Sequence, residues 1–504
     1  MDEPVKRPSV DPLDRLGALV RRGRAFSPAG LSDRRFTAVA AGLGLVLAAG
    51  VALAAGPWDS GQRKAERDWV AARGGTGGAH HGAGTPDGTP PAPSAPPVLA
   101  PLTAPAGAAD DAASDARTGP DRASAELRAT LGRLLKDPAL GSVRSAVVID
   151  AATGERLYGQ GADTPMTPAS TVKIATSVAA LSALGPHHRI ATTVEASPDA
   201  RAVTLVGGGD PTLDKAALRA LAADTARVLK ERGVDRVRLG YDTSHYSGPA
   251  RHPIGPNENI APVTALMTDE GRLDRSDSGP APRSDDPARD AARTFRELLG
   301  DAGIAVASAP AHGRPAVGSR PVARHLSAPL SALVERALTN SDNDIAEALA
   351  RQTAIAAGEP ADFAGGRRAV TARLTGLRLP MAGANLADGS GLNREDKVTA
   401  GLLAGLLARA AGPDHPELRP VLTGLPVAGF TGTLSDRYSA KSAGTGLIRA
   451  KTGTLTGVNS LAGTVVDARG RLLAFAFLAS GTTSPSEAQS ALDSLATALA
   501  APAR

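Results

Sequence analysis

At 504 residues the chain has room for two or three cores, and with aromatic residues at only 3% those cores are built mainly from Ala, Leu and Val. Lys and Arg number 56 against 51 Asp and Glu, with no basic run interleaved with aromatics, which argues against a nucleic-acid partner. Cysteine is absent, so disulfides, thiolate zinc sites and a cysteine nucleophile are excluded.

Residues 1–35 form a tail with eight Lys or Arg (Lys6, Arg7, Arg15, Arg21, Arg22, Arg24, Arg34, Arg35) against five acids. Phe36 to Ala55 then runs about 20 residues without a charge, the length a helix needs to cross a bilayer. The basic flank predicts a cytoplasmic tail (1–35), a single-pass signal-anchor (36–56) and an extracellular remainder attached to the cell membrane. Ala52-Leu53-Ala54 resembles a small-residue cleavage site, so secretion after signal cleavage is the alternative. Residues 57–124 read as a flexible spacer. From Gly74 to Thr118 the chain is Gly, Pro, Ala, Ser and Thr, too poor in large apolar groups to offset the entropy of ordering. His80-His81 in this spacer lacks a third ligand and is not read as a metal site.

Folded sequence is expected from Ala125, with an amphipathic helix AELRATLGRLLKD and then a hairpin, SAVVIDAATGERLYG. The chain ends on a second hairpin, VNSLAGTVVD and RLLAFAFLAS about Ala468-Arg469-Gly470, and a helix beginning at Ser484-Pro485. Strands at both ends with Ala/Leu-rich helices between them, through 345–425, predict one α/β sandwich whose sheet joins the two ends. Between 189 and 324 short strands alternate with polar loops, which predicts a smaller domain inserted between 125–188 and 325–504.

Three polar clusters carry the chemistry. In PASTVKIAT, Ser170 opens a helix-like segment and Lys173 follows one turn later on the same face. A serine hydroxyl needs a base to become nucleophilic, and a desolvated lysine can be that base; the bland alternative is a helix cap. In NSDNDIAEALAR, Ser341 and Asn343 precede a helical run and suit a cap. In RAKTGTLTGVN, Lys451, Thr452 and Thr454 end a strand, and Gly453 leaves room for close backbone approach. Singly each cluster is weak. Together, in the order Ser-x-x-Lys, Ser-Asp-Asn and Lys-Thr-Gly, they match the trio of β-lactamases and penicillin-binding proteins.

On these residues, and on VGGGDPTL (206–213), ADGSGLNR (387–394) and PVAGFTGTLSDR (426–437), the chain resembles the D-alanyl-D-alanine carboxypeptidase/endopeptidases of the peptidase S13 family, the low-molecular-mass class C penicillin-binding proteins, over about 125–504. About 170 residues separate Ser170 from Ser341, against about 110 from Ser341 to Lys451, as befits a domain inserted between the first two motifs.

The resemblance implies an α/β (α+β sandwich) transpeptidase-like serine hydrolase domain with a β-rich insertion. It implies peptidoglycan stem peptides as substrates, β-lactams as inhibitors, and neither cofactor nor metal. Ser170 would attack the bond between two D-alanines and Lys173 would take its proton, kept neutral by repulsion from Lys451. Ser341 would relay the proton and Asn343 would hold Lys173. Lys451, Thr452 and Thr454, with Gly453 between them, would bind the terminal carboxylate, and the N–H groups of Ser170 and Thr454 would form the oxyanion hole. Two alternatives stand beside this. A serine β-lactamase shares the clusters, but no Glu-x-x-Leu-Asn stretch between Ser341 and Lys451 supplies the class A deacylating glutamate. A non-catalytic wall-binding or penicillin-sensing membrane protein would have no chemical need of Ser170, Lys173 and Lys451 together.

Overall fold

The computed structural model describes residues 119–501. The expected tail, anchor and most of the spacer lie outside the described residues. The first helix, α1 (Gly119–Leu134), starts six residues before the expected Ala125.

Two sheets organise the chain. The first is antiparallel, in the order β2-β1-β11-β10-β9, from β1 (Val143–Asp150), β2 (Arg156–Gln160), β9 (Ile448–Leu455), β10 (Val458–Val466) and β11 (Leu472–Ser480). The two hairpins thus meet as β1 and β11, paired from Val143↔Ser480 to Asp150↔Leu473. Helix α2 (Lys173–Leu184) follows β2, and the six-stranded mixed sheet comes next in sequence. That sheet, ordered β6-β5-β4-β3-β8 with β7 also on β5, uses β3 (Ala191–Ala196), β4 (Ala202–Val206), β5 (Arg236–Asp242), β6 (Ala305–Val306), β7 (Ala311–His312) and β8 (Arg320–Leu326). Two long helices join it, α3 (Lys215–Glu231), which crosses between the parallel strands β4 and β5, and α4 (Pro287–Asp301). Four more helices return to the first sheet: α5 (Leu330–Thr339), α6 (Asn343–Ala356), α7 (Phe363–Gly376) and α8 (Ala400–Ala411). Helix α9 (Pro485–Ala500) closes the described chain, with Ser484 accepting from the Glu487 N–H and Pro485 in the first turn, as the sequence suggests.

The first sheet is buried on both faces because its strands alternate two apolar sets. Ala474, Ala476 and Leu478 of β11 pack with α2, α5, α6, α7 and α8, whereas Leu473, Phe475 and Phe477 pack with Leu131 of α1 and Leu492, Leu495 and Leu499 of α9. The result is a helix–sheet–helix sandwich. The second sheet has a core of its own, with Val194, Val203, Leu205 and Leu239 against Leu221 and Leu229 of α3 and Phe295 and Leu299 of α4.

Candidate active site

Ser170 lies in a 3-10 turn (Ala169–Val172) that runs directly into α2, and no side chain caps the turn. The helix-cap reading of Ser170 is therefore replaced by a hydroxyl left free for another partner. That partner is Lys173, whose Nζ is 3.0 Å from Ser170 Oγ. The Lys173 side chain is fully buried, and Nζ also contacts Asn343 Oδ1 at 2.7 Å and the Ser390 carbonyl oxygen at 2.6 Å. The second cluster sits at the head of α6, where the cap is Asp342, accepting from the Ile345 N–H at 2.9 Å. Neither Ser341 nor Asn343 caps the helix, so both side chains can face the cavity. Ser341 has φ +59°, a left-handed conformation that is costly for a serine and marks a constrained turn. Asn343 donates through Nδ2 to the Asn259 carbonyl at 2.9 Å.

The third cluster lies on β9, at the edge of the first sheet. Residues 426–428 cover the first part of that edge, with the Ala450 N–H donating to Pro426 O and the Ala428 N–H to Ile448 O. Strand alternation then points the main-chain groups of Thr452 and Thr454 outward from the same edge. Thr452 Oγ1 donates to Thr433 Oγ1 at 2.8 Å, and Gln489 Nε2 of α9 donates to Thr454 Oγ1 at 3.3 Å. Gly453 is required by close approach: a Cβ there would run into Ser460 Oγ and the Pro168 carbonyl oxygen, in the very turn that carries Ser170.

These elements enclose a cavity of about 390 Å³ lined by Ser170, Ser341, Asn343, Thr452 and Thr454, among others. Lys173 and Lys451 lie behind that wall, both fully buried. Sequence reasoning missed part of the wall. Asn259, Arg272 and Arg283 come from the loop between β5 and α4, and Thr433, Arg437 and Gln489 close the far side. Of these, Thr433 and Arg437 fall within the quoted stretch PVAGFTGTLSDR; the others carried no motif. The loop is tied to the head of α6. Arg283 pairs with Asp344 at 2.9 Å, the Ala261 N–H donates to Asp344 Oδ1 at 2.9 Å, and Arg336 of α5 pairs with Glu270. VGGGDPTL contributes nothing to the wall. Its glycines serve packing, since a Cβ on Gly207 or Gly208 would strike the Ala265 or Ala191 carbonyl oxygen.

Burial lowers the Lys173 ammonium to about 8, although the carboxylates of Asp388, Asp342, Glu347 and Asp396 all pull it back up. Burial, rather than repulsion from Lys451, thus moves Lys173. The repulsion falls on Lys451, which burial and then Lys173 hold well below the ordinary lysine value. A neutral amine has two N–H groups and one lone pair. Asn343 Oδ1 and Ser390 O accept two N–H groups, so in the neutral form the lone pair would be left for Ser170 Oγ.

An α/β sandwich with a serine paired to a buried lysine defines a serine hydrolase of the acyl-transfer kind. The sequence profile of the D-Ala-D-Ala carboxypeptidase 3 (S13) family matches residues 127–282 and 276–500, and the chain belongs to that family. A carboxypeptidase of Mycobacterium tuberculosis is 39% identical over 403 residues, covering 76% of this chain and 85% of the relative. A D-alanyl-D-alanine carboxypeptidase of an Actinomadura species is 31% identical, covering 71% of this chain and 82% of the relative. Penicillin-binding protein 4 of Haemophilus influenzae shares the fold, with a TM-score of 0.61 at 24% identity over 71% of this chain and 93% of that structure. The chain is accordingly an enzyme of the serine-peptidase, penicillin-binding type, which sets the carboxypeptidase reading above the β-lactamase one.

Proposed function

We propose that the protein is a serine-type D-alanyl-D-alanine carboxypeptidase/endopeptidase acting on peptidoglycan stem peptides through an acyl-enzyme on Ser170, and that β-lactams block it at the same serine. The observation that carries this is the contact between the buried Lys173 Nζ and Ser170 Oγ, with both amine hydrogens committed elsewhere. Ser170 attacks the carbonyl between two D-alanines as Lys173 takes its proton. Ser341 passes a proton to the leaving amine, and Asn343 holds Lys173. The substrate lies along the open edge of β9, where a peptide can add as a further strand. There Lys451, Thr452 and Thr454, beside Gly453, receive its terminal carboxylate. The N–H groups of Ser170 and Thr454 face the oxyanion, each worth about 3 kcal/mol of barrier. Water then hydrolyses the ester. A class A β-lactamase would use a glutamate to activate that water. Among the described wall residues the one acid is Asp342, not a glutamate, and its Oδ1 caps α6.

The catalytic part is read as 125–188 with 325–504, and 189–324 as the inserted domain. Residues 36–56 serve as a retained anchor that places the catalytic part outside the cell, or as a signal removed on export. Among the described residues no helix is long and apolar enough to cross a membrane, and 36–56 lies outside them. Fractionation of cells expressing the full chain decides between the two: recovery with membranes supports the anchor, recovery in the medium the cleaved signal. The activity itself is tested by labelling the full chain with a fluorescent penicillin, mapping the adduct, and measuring D-alanine release from a stem-peptide analogue. Labelling at Ser170 with D-alanine release is expected. Rapid turnover of the penicillin would favour the lactamase, labelling without release the sensor, and undiminished labelling of Ser170→Ala would overturn the assignment.

A further inference from the structure

The Lys173 lone pair reaches Ser170 only if its third partner, the Ser390 carbonyl, stays in place, and no side chain of Ser390 does that work. The loop carrying it is held instead by buried acids. Glu347 Oε1 accepts the N–H groups of Gly389 and Ser390 at 3.0 and 2.9 Å. Asp388 Oδ1 accepts those of Ser390 and Gly391 at 3.0 and 2.6 Å, and Asp388 Oδ2 accepts that of Asn393 at 2.7 Å. The loop is wedged between two elements of the site. A Cβ on Gly389 would crowd Ala346 and Ala350 of α6, and one on Gly391 would strike the Ala169 carbonyl next to Ser170. His252, from the loop between β5 and α4, closes the set, with Nε2 2.9 Å from Asp388 Oδ2 and both side chains 1% exposed. Its Nδ1 accepts the Ile254 N–H at 3.1 Å, which leaves Nε2 to donate to Asp388.

We propose that His252, Glu347 and Asp388 are positioning residues that fix the backbone of 388–391, so that the Ser390 carbonyl engages Lys173 Nζ and leaves its lone pair directed at Ser170. This rests on the reading of Ser170 and Lys173 as nucleophile and base. The role is one of aim rather than of charge alone, because Asp388 spends both oxygens, and Glu347 its Oε1, on main-chain N–H groups of one short loop. The same groups would suit a buried metal by spacing, but both Asp388 oxygens and Glu347 Oε1 are already engaged, and His252 Nε2 points at Asp388 Oδ2. Asp396 supports the set. Its Oδ1 accepts the Ala387 N–H at 2.6 Å, and its Oδ2 has no partner unless it carries a proton towards Asp388. Burial and then Asp388 push Asp396 up to about 10, which supplies that proton. Burial would also raise Asp388, but the hydrogen bonds from His252 and Asp396 outweigh it and hold Asp388 at about 2.

The experiment compares His252→Gln, which keeps a donor, with His252→Leu, which removes it, and sets Glu347→Gln and Asp388→Asn beside them. For each full-length variant, the acylation rate constant per titrated site, the penicillin dissociation constant and the pH profile are measured. His252→Leu and Asp388→Asn are expected to acylate about tenfold or more slowly with unchanged dissociation constants, while His252→Gln and Glu347→Gln retain rates within about threefold. Glu347→Gln keeps the acceptor and loses a carboxylate facing Lys173. Its acid limb therefore moves to lower pH while the plateau holds; Asp388, Asp342 and Asp396 remain on that lysine, with Lys451 opposing. Wild-type per-site rates in His252→Leu or Asp388→Asn would overturn the proposal. So would a tenfold loss of plateau rate in Glu347→Gln, a near-isosteric change that decides the matter even if the other variants do not fold. Failure of the wild type itself to label at Ser170 would instead sink the reading of the site.

Discussion

The two sheets divide the labour unequally. The first presents Lys451, Thr452 and Thr454 on its edge strand and packs against the turn and helices that carry Ser170, Lys173, Ser341 and Asn343. The second has its own core yet reaches the cavity only through the loop between β5 and α4, which supplies Asn259, Arg272 and Arg283. Chemistry belongs to one sheet and part of the enclosure to the other. On the proposed reading the second sheet's unit shapes the site without owning a reacting atom, because its loop is pinned by Arg283 and Ala261 to Asp344.

Removing chemistry from the first sheet's side should give the largest effect. Lys173→Ala is expected to slow acylation by about 10³, the scale of losing a general base, read as the rate of fluorescent-penicillin labelling. Next comes Gly453→Ala. A methyl group has no room between Ser460 and Pro168, so the Ser170 turn must shift; acylation should fall about a hundredfold and stability by about 1–3 kcal/mol, measured by labelling rate and thermal melting. Because Lys173 must be neutral to accept a proton and burial lowers it to about 8, acylation should rise with pH and level off above that value. Below it the rate should drop about tenfold per unit, and a flat profile between pH 6 and 8 would break the assignment of Lys173 as base.

On the second sheet's side the effects should be smaller and of another kind. Arg283→Met leaves the buried Asp344, already pushed up to about 7 by burial and the Asp342 charge, without its cation. The loop should loosen, raising KM for a stem-peptide analogue about tenfold with less loss in kcat, which steady-state kinetics separates. Phe295→Ala opens a cavity in the second core at a cost of about 3–5 kcal/mol. Well below the melting transition its per-site acylation should stay within about threefold of wild type. A hundredfold loss would mean that the second sheet does more than support a wall.

The three motifs were legible because they are side-chain chemistry in a fixed order, and the sandwich because apolar periodicity marks both terminal hairpins and the helices between them. The cap at α6 was not: Ser, Asp and Asn all suit an N-cap, and only the fold shows that Asp342 takes it and frees Ser341 and Asn343. Ser390 was invisible as a partner of Lys173, because it acts through a carbonyl that every residue possesses. Glu347 lies in NSDNDIAEALAR and Asp388 in ADGSGLNR, but what they share with His252 was hidden, since residues so distant in sequence follow no spacing rule.

By itself, then, the sequence determined which groups could react and the alternation that buries the first sheet on both faces. Both follow from local order along the chain. The tertiary structure alone decided how buried Lys173 is, which atoms occupy its other two positions, and which inserted residues wall the cavity. Burial and aim are properties of atoms brought together from distant parts of the chain, and the roles proposed for a serine and a lysine three residues apart depend on both.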